Sequence, residues 1–231
     1  MLEIAGLSGG WGPTMVVEGL SLSLARDETV AVIGRNGVGK STLLELLVGR
    51  AQGRGGRILL QGRDLTGLPI HERARLGLGY VPQGREVFPS LTVQEHLDVA
   101  ARPGHWNATR VMDLFPRLSE RLGSYGDQLS GGEQQMLAIA RALLGNPVVM
   151  LMDEPFEGLA PIIVEHLVRA IRTIVQGGSM ALLLVEQRVD IALDLSRRCV
   201  VMDRGQCVFE GASDALAQDE TALAAHMGLV H

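Results

Sequence analysis

The stretch GRNGVGKST, residues 34–42, holds Lys40, which is the single lysine among the 231 residues of the chain. The other 20 of the 21 basic residues are arginines. Arginine presents a broad planar fork of donors, whereas lysine is a compact point charge on a flexible stem. A chain that keeps one lysine in a glycine-rich turn therefore predicts a site where a narrow cation must reach between other groups.

The residues around Lys40 fit the phosphate-binding pattern G-x-x-x-x-G-K-[ST], from Gly34 to Ser41. The pattern follows the apolar run TVAVI and precedes the helical stretch STLLELLVG, which is the context that it requires. Backbone N–H groups of such a turn form a cradle for anionic oxygens. We expect Lys40 to reach the β and γ phosphates and the Ser41 hydroxyl to bind Mg²⁺. The predicted nucleotide-binding residues of this loop are Gly34, Asn36, Gly37, Gly39, Lys40, Ser41 and Thr42.

Asp153 ends the apolar run PVVMLMD of residues 147–153, and a second carboxylate, Glu154, follows it directly. Ligands of parallel sheets bind at the carboxyl ends of the strands, and a carboxylate at that position holds Mg²⁺ in P-loop nucleotidases. The alternative is that both acids only cap a strand in solvent. We expect Asp153 to bind the metal and Glu154 to polarise the attacking water.

A second glycine-rich segment, LSGGEQ at residues 129–134, opens a helical stretch. Ser130, Gly131 and Gly132 at a helix N-terminus could bind an anion, although such a sequence by itself is an ordinary N-cap. Two phosphate sites in one chain suggest that the second serves the nucleotide of a neighbouring subunit.

The hydrophobic pattern predicts an α/β fold. Leu20, Leu22 and Leu24 alternate with serines, which indicates a half-buried antiparallel strand. The runs TVAVIG, PVVMLMD and MALLLVE are apolar throughout, as expected of strands buried on both faces of a parallel sheet. Helical patterns cover residues 161–176 and 188–195, and the tail adds a hairpin that turns at 203–205 and one or two short helices.

Residues 84–145 interrupt this alternation with helical segments, LTVQEHLDVAAR, NATRVMDLF and LSERLG among them. We therefore expect one domain over residues 1–231. It would have an α/β nucleotide-binding core, residues 1–83 and 146–231, and an inserted α-helical subdomain, residues 84–145. The fold would be a P-loop NTPase (RecA-like) core with a parallel sheet and an N-terminal antiparallel β segment.

Composition narrows the possible partners. The formal net charge is −5, without a basic patch, which argues mildly against nucleic acid as a partner. Cys199 and Cys207 have no metal-ligand spacing. The longest apolar runs are far shorter than the roughly 18 to 20 residues that span a bilayer, and the N-terminal residues do not have the pattern of a signal peptide. We expect a cytoplasmic protein that reaches a membrane only through partners.

The motifs in their order carry a family resemblance. The phosphate loop, Gln83 in YVPQG, the stretch LSGGEQQMLAIARAL and the stretch MDEP resemble the nucleotide-binding subunit of an ATP-binding cassette (ABC) transporter. The resemblance spans essentially the whole chain. It implies that two subunits clamp two ATP molecules head to tail, each site pairing one phosphate loop with the other subunit's LSGGEQ segment. It also implies that Gln83 contacts Mg²⁺ and the lytic water and that Trp11 stacks on adenine; the alternative for Trp11 is a core or edge position.

A finer resemblance concerns the transported solute. The stretches YVPQGREVFPSLTVQEHL and EGLAP are similar to the second of the two ATPases in branched-chain amino-acid importers. Closely similar ATPases serve urea and short-chain amide uptake, so the solute stays open. The resemblance implies membrane permease subunits and a second ATPase as partners, a solute-binding protein as an indirect one, and a place on the inner face of the cell membrane.

Two positions depart from the usual family pattern. A histidine that contacts the γ-phosphate usually follows the strand MALLLVE, where this chain has Gln187, and Ala160 stands where an aspartate is usual. We therefore hypothesise a heterodimer whose partner retains the histidine, with a homodimer as the alternative. Two alternatives remain: a cassette ATPase of DNA repair or translation, and a regulatory subunit that binds ATP but barely hydrolyses it.

Overall fold

The computed structural model describes residues 1–178, 180–219, 221, 223 and 224, whose strands form two sheets. The smaller sheet is antiparallel, in the order β2-β1-β4-β5. Its strands are β1 (Leu2–Trp11), β2 (Thr14–Leu24), β4 (Gln52–Leu60) and β5 (Arg63–Asp64).

The larger sheet has the order β10-β9-β3-β8-β7-β6, parallel except for β10 at one edge. Its strands are β3 (Thr29–Ile33), β6 (Leu78–Val81), β7 (Val149–Asp153), β8 (Ala181–Glu186), β9 (Arg198–Asp203) and β10 (Gln206–Ala212). Strands β3, β7 and β8 are buried at every residue. This confirms the expectation from their unbroken apolar sequences, because helices and the second sheet cover both faces.

The helices cover the faces of the large sheet and fill the segment between β6 and β7. They are α1 (Lys40–Val48), α2 (Ile70–Arg75), α3 (Val93–Ala100), α4 (Ala108–Leu114), α5 (Pro116–Ser119), α6 (Gly131–Leu144), α7 (Pro161–Gln176), α8 (Val189–Leu195) and α9 (Ser213–Gln218), with a 3₁₀ turn at Gly126–Gln128. None of the helices in the described part of the chain is long and apolar enough to cross a membrane.

Two large apolar clusters lie on opposite sides of the parallel sheet. One joins α1 to the antiparallel sheet, and Leu20, Leu22 and Leu24 enter it as the alternation predicted. The other contains residues of the helices from α3 through α7 and one face of each of the strands β7 and β8. The phosphate loop and α1 are therefore held between the two sheets.

The segment between β6 and β7 is helical, with one isolated β-bridge between Thr92 and Tyr125. Capping boxes start α3 at Thr92 and α6 at Ser130, which fixes where these helices begin. The prediction of a helix over LSERLG was wrong in extent, because α5 ends at Ser119 and turns follow it. The boundaries of a separate helical subdomain at residues 84–145 stay a prediction.

Candidate active site

The phosphate loop connects β3 to α1 through backbone conformations that favour glycine. Gly34, Gly37 and Gly39 have φ values of 154°, 80° and 107°. A Cβ on Gly34 would lie 2.4 Å from the carbonyl oxygen of Met202, so any side chain there would displace the neighbouring strand β9. The glycines therefore let the loop curl against the end of the sheet, and glycine-rich turns of this kind can direct backbone N–H groups toward an anion.

Lys40 is the first residue of α1 and is only 4% exposed. Its Nζ donates to the carbonyl oxygens of Gly34 at 2.8 Å and Arg35 at 3.0 Å, and lies 3.6 Å from Oε1 of Glu154. A buried cation needs such partners, because desolvation without them is costly. The single lysine of the chain is thus held inside its own loop, where a guanidinium fork would be too broad.

Ser41 and Asp153 meet across the sheet. The Ser41 hydroxyl donates to Oδ1 of Asp153 at 3.0 Å. Burial raises the pKa of Asp153 to about 6, and the negative charges of Glu154 and Glu45 add to this effect against the Ser41 hydrogen bond and Lys40. Because burial disfavours the charged form of this carboxylate, a cation bound at these oxygen atoms would stabilise it.

Glu154 follows β7 in a left-handed conformation, with φ of 47°, and is 6% exposed. Its Oε2 accepts hydrogen bonds from the side-chain amides of Gln83, at 3.3 Å, and Gln187. One carboxylate oxygen thus faces two amides while the other faces Lys40. Non-glycine residues in this conformation are uncommon and cluster at functional sites, so the turn after Asp153 is arranged to hold this carboxylate.

Two further carboxylates belong to the site and were missed at the sequence level. Gln83 Nε2 donates to Oε2 of Glu157 at 2.7 Å, which fixes the amide between Glu154 and Glu157. Glu186, at the end of β8, is 2% exposed and accepts backbone N–H bonds from Phe156, Gln187 and Arg188 at 3.0 to 3.3 Å. Burial raises the pKa of Glu186 against these bonds. Only its position directly before Gln187 could have pointed to it.

A cavity of about 350 Å³ brings most of the predicted residues together. The predicted residues that line it are Asn36, Gly37, Gly39, Lys40, Ser41, Thr42, Gln83, Glu154 and Gln187, joined by Val16 and Glu157. Trp11 ends β1, is 48% exposed, and donates from Nε1 to Oγ1 of Thr42 at 3.3 Å. An exposed aromatic ring near this loop could stack on a base, and the assignment of Trp11 to adenine stays a prediction.

Ser130, Gly131 and Gly132 do not line this cavity. The Ser130 hydroxyl is engaged in the capping box, where it donates to Oε2 of Glu133 at 2.7 Å. Gly131 and Gly132 are the first two residues of α6, and a Cβ on Gly132 would lie 2.9 Å from Cγ2 of Ile163. The second predicted phosphate surface is therefore not part of the chain's own site.

The residues present fit ATP and Mg²⁺. The glycine cradle and the buried lysine suit phosphate oxygens. The Ser41 hydroxyl, the Asp153 carboxylate and the Gln83 amide are the hard oxygen donors that Mg²⁺ prefers. A parallel sheet with a phosphate loop after one strand and paired acids after another defines a P-loop nucleoside triphosphatase.

Comparison with known proteins places this site within one family. Residues 17–157 match the model of the family described as ABC transporter. The chain is 38% identical to the high-affinity branched-chain amino acid transport ATP-binding protein BraG of Pseudomonas aeruginosa, over 99% of this chain and 100% of that protein. It is 34% identical to the lipopolysaccharide export system ATP-binding protein LptB of Escherichia coli K12, over 92% and 91% of the two chains.

A solved structure shares the fold. It is a dimeric post-hydrolysis state of the ATP-binding cassette MJ0796 with ADP and Pi, with a TM-score of 0.81 and 22% identity over 92% of this chain and 99% of that chain. The present chain belongs to the ABC transporter family and is an ATPase of that family. The predicted family and fold class are thereby confirmed.

Proposed function

We propose that this chain is the ATP-binding and ATP-hydrolysing subunit of an ABC importer that takes up branched-chain amino acids or a related amino acid or amide. The observation that carries the proposal is the cavity that brings the phosphate loop, Gln83 and Glu154 together. The full-length similarity to BraG supports the amino-acid assignment.

Phosphate binding rests on the loop and its lysine. Lys40 would exchange its contacts with the carbonyl oxygens of Gly34 and Arg35 for phosphate oxygens. Ser41, Asp153 and Gln83 would hold Mg²⁺, which supplies neutralisation of phosphate charge when it is bound. Trp11 would stack on the adenine at the rim.

Glu154 is proposed as the general base that takes a proton from the attacking water at Oε1 or Oε2. Gln83 and Gln187 donate to Oε2, which orients the carboxylate. Because Gln187 has no titratable proton, it orients Glu154 and the γ-phosphate side of the site without carrying charge.

The second half of each site would come from another ATPase subunit. Ser130, Gly131 and Gly132 lie outside the chain's own cavity, and the Ser130 hydroxyl would exchange its capping contact with Glu133 for the nucleotide of a partner. The dimeric form of the solved cassette supports this arrangement. Ala160 is the N-cap of α7 and has no side-chain capping bond, so the carboxylate usual there is missing both as a cap and as a contact across a dimer. Both departures favour a heterodimer, whose second subunit would carry the histidine.

The assembly would place the chain on the inner face of the cell membrane against permease subunits, with a solute-binding protein as an indirect partner and no nucleic acid. Uptake of urea or a short-chain amide is the alternative solute assignment. The chain is also similar to LptB, a protein of an export system, so uptake as the direction of transport is part of the proposal.

Two experiments test the proposal. The solution mass of Glu154→Gln, measured by light scattering with and without ATP and Mg²⁺, should stay monomeric unless the partner ATPase is added. A doubling of mass with ATP would overturn the heterodimer. Uptake of labelled leucine, urea and acetamide by cells that lack this gene tests the solute, and unchanged leucine uptake would overturn the amino-acid assignment.

A further inference from the structure

A cleft remote from the nucleotide site lies between α4 and α7. Its volume is about 510 Å³, within the range of small-molecule sites. The residues that line it are His105, Trp106, Arg110, Asp113, Arg169 and Thr173, together with Leu114, His166, Ala170 and Gly177. It therefore joins the helical segment before β7 to the helix after β7.

The wall of the cleft is built by a fixed loop. Asn146, in a left-handed conformation after α6, accepts from the backbone N–H of Trp106 at 2.7 Å and donates to its carbonyl oxygen at 2.9 Å. A Cβ on Gly104 would lie 2.4 Å from Cγ of Asn146, so the loop can pack this closely only with glycine there. His105 packs edge-on against Trp106, with 5.2 Å between ring centroids. The wall is thus organised before any ligand arrives.

Charged groups of both signs line the cleft without ion-pair partners. Across the described ranges, Arg110, Asp113 and Arg169 form no salt bridge. Arg110 instead contacts the ring nitrogens of His105 at 2.6 and 2.8 Å, and Arg169 donates from Nε to the carbonyl oxygen of Glu165. Two guanidinium groups and one carboxylate therefore remain available to a ligand.

Trp106 carries an unmet donor. The residue is 7% exposed, and in the part of the chain that the structure describes its Nε1 has no hydrogen-bond partner. Buried polar groups without a partner are uncommon and call for an explanation. Because this N–H is itself buried, a ligand in the cleft would contact other parts of the indole, and Trp106 reports on the cleft without donating to the ligand.

An apolar cavity of about 190 Å³ continues from the cleft and shares Leu114 and His166 with it. Its other lining residues are Phe115, Pro116, Arg117, Met136 and Leu167. Two cations and a carboxylate line the cleft, and the adjoining cavity is lined mainly by apolar residues, so together they offer groups for the three parts of an amino acid with an aliphatic side chain.

We propose that the cleft between α4 and α7 binds a free aliphatic α-amino acid. Arg110 and Arg169 bind its carboxylate, Asp113 binds its ammonium group, and the cavity beside Leu114 takes its side chain. A ligand held in this way ties α4 to α7. The proposal concerns a second binding site and does not depend on which solute the transporter carries.

The chain contains two tryptophans, so Trp11→Phe leaves Trp106 as the single fluorescent reporter beside the cleft. L-leucine, titrated in the absence of nucleotide, should give a saturable change in Trp106 emission. Two probes each lack one charged group: 4-methylpentanoate has no ammonium group, and 3-methylbutylamine has no carboxylate. Each should bind at least roughly tenfold more weakly than L-leucine. Titration with inorganic phosphate tests whether the cleft binds any anion.

In the same background, Arg169→Gln and Asp113→Asn should each weaken leucine binding roughly tenfold or more. The matched control is Arg172→Gln. Arg172 lies on α7 but pairs with Asp194 outside the cleft, so its replacement should leave leucine binding unchanged. A flat leucine titration, or equal binding of leucine and phosphate, would overturn the proposal. Thermal unfolding of each variant verifies its fold, and ATP hydrolysis by the wild-type chain is unaffected by this outcome.

Discussion

The hydroxyl of Ser41 donates to Oδ1 of Asp153 at 3.0 Å, although 112 positions separate the two residues in the chain. Ser41 follows β3 and Asp153 ends β7, and these strands are not neighbours: β8 lies between them. The bond therefore connects the ends of β3 and β7 past the intervening strand β8, at the base of the nucleotide site.

Replacing Asp153 tests the effect of its raised pKa on stability. Burial raises the pKa of Asp153 to about 6, above the ordinary 3.8. Its protonated form therefore stabilises the folded state; this contribution is fully present below about pH 4 and is lost as the pH rises through 6. The shift corresponds to roughly 3 kcal/mol. Without nucleotide or Mg²⁺, Asp153→Asn should raise Tm at pH 8 and change it little at pH 4. An equal shift at both values would contradict the assignment.

Glu154→Gln should preserve ATP binding while lowering turnover by roughly 10²–10⁴, the usual effect of losing a general base. The amide keeps the size of the side chain but cannot accept the proton from water. Single-turnover hydrolysis and nucleotide affinity are the two measurements. Glu72→Gln, an exposed acid on α2 away from the cavity, is the matched control. Unchanged turnover in Glu154→Gln would remove this residue from the role.

Lys40→Arg should weaken nucleotide binding even though charge is conserved. Nζ of Lys40 is enclosed between the carbonyl oxygens of Gly34 and Arg35, a space that a guanidinium does not match. Mismatching one partner of a buried charged contact costs about 2–5 kcal/mol, so Kd should rise about 30-fold or more. The exposed Arg35→Lys, which makes the reverse exchange next door, should leave Kd near its original value. Equal affinities of the two variants would show that charge alone suffices.

Gln187→Ala should lower turnover roughly tenfold, because Glu154 loses one of the amides that hold Oε2. The Kd for ATP should change less than the turnover, since the lost contact is to the base. Gln187→His should keep most of the activity, because an imidazole N–H can also donate. Arg188→Ala, whose side chain pairs with Asp190 at the surface, serves as control. A loss in ATP affinity that equals the loss in turnover would place Gln187 on the nucleotide instead.

Local patterns were sufficient for much of the fold. The apolar runs at residues 30–33, 149–152 and 181–185 lie in the buried strands β3, β7 and β8, because strands covered on both faces favour apolar residues up to their carboxyl ends, where Asp153 and Glu186 stand. The helices at 161–176 and 189–195 also follow their patterns. The helix expected over LSERLG was wrong in extent, because α5 is a single turn that begins directly after Phe115, the C-cap of α4, and ends at Ser119.

The sequence by itself determined the phosphate loop, the paired acids and Gln83, since each is a short motif whose residue types and spacing carry its chemistry. The order of strands in the sheet was decided only by the tertiary structure. β8 lies between β3 and β7, so Gln187 reaches Glu154, and Glu186 anchors the backbone of both turns. Glu157 joined the site because the turn after Glu154 brings it to Gln83. Such contacts join residues some 30 to 110 positions apart, and no local pattern specifies which strands of a parallel sheet become neighbours.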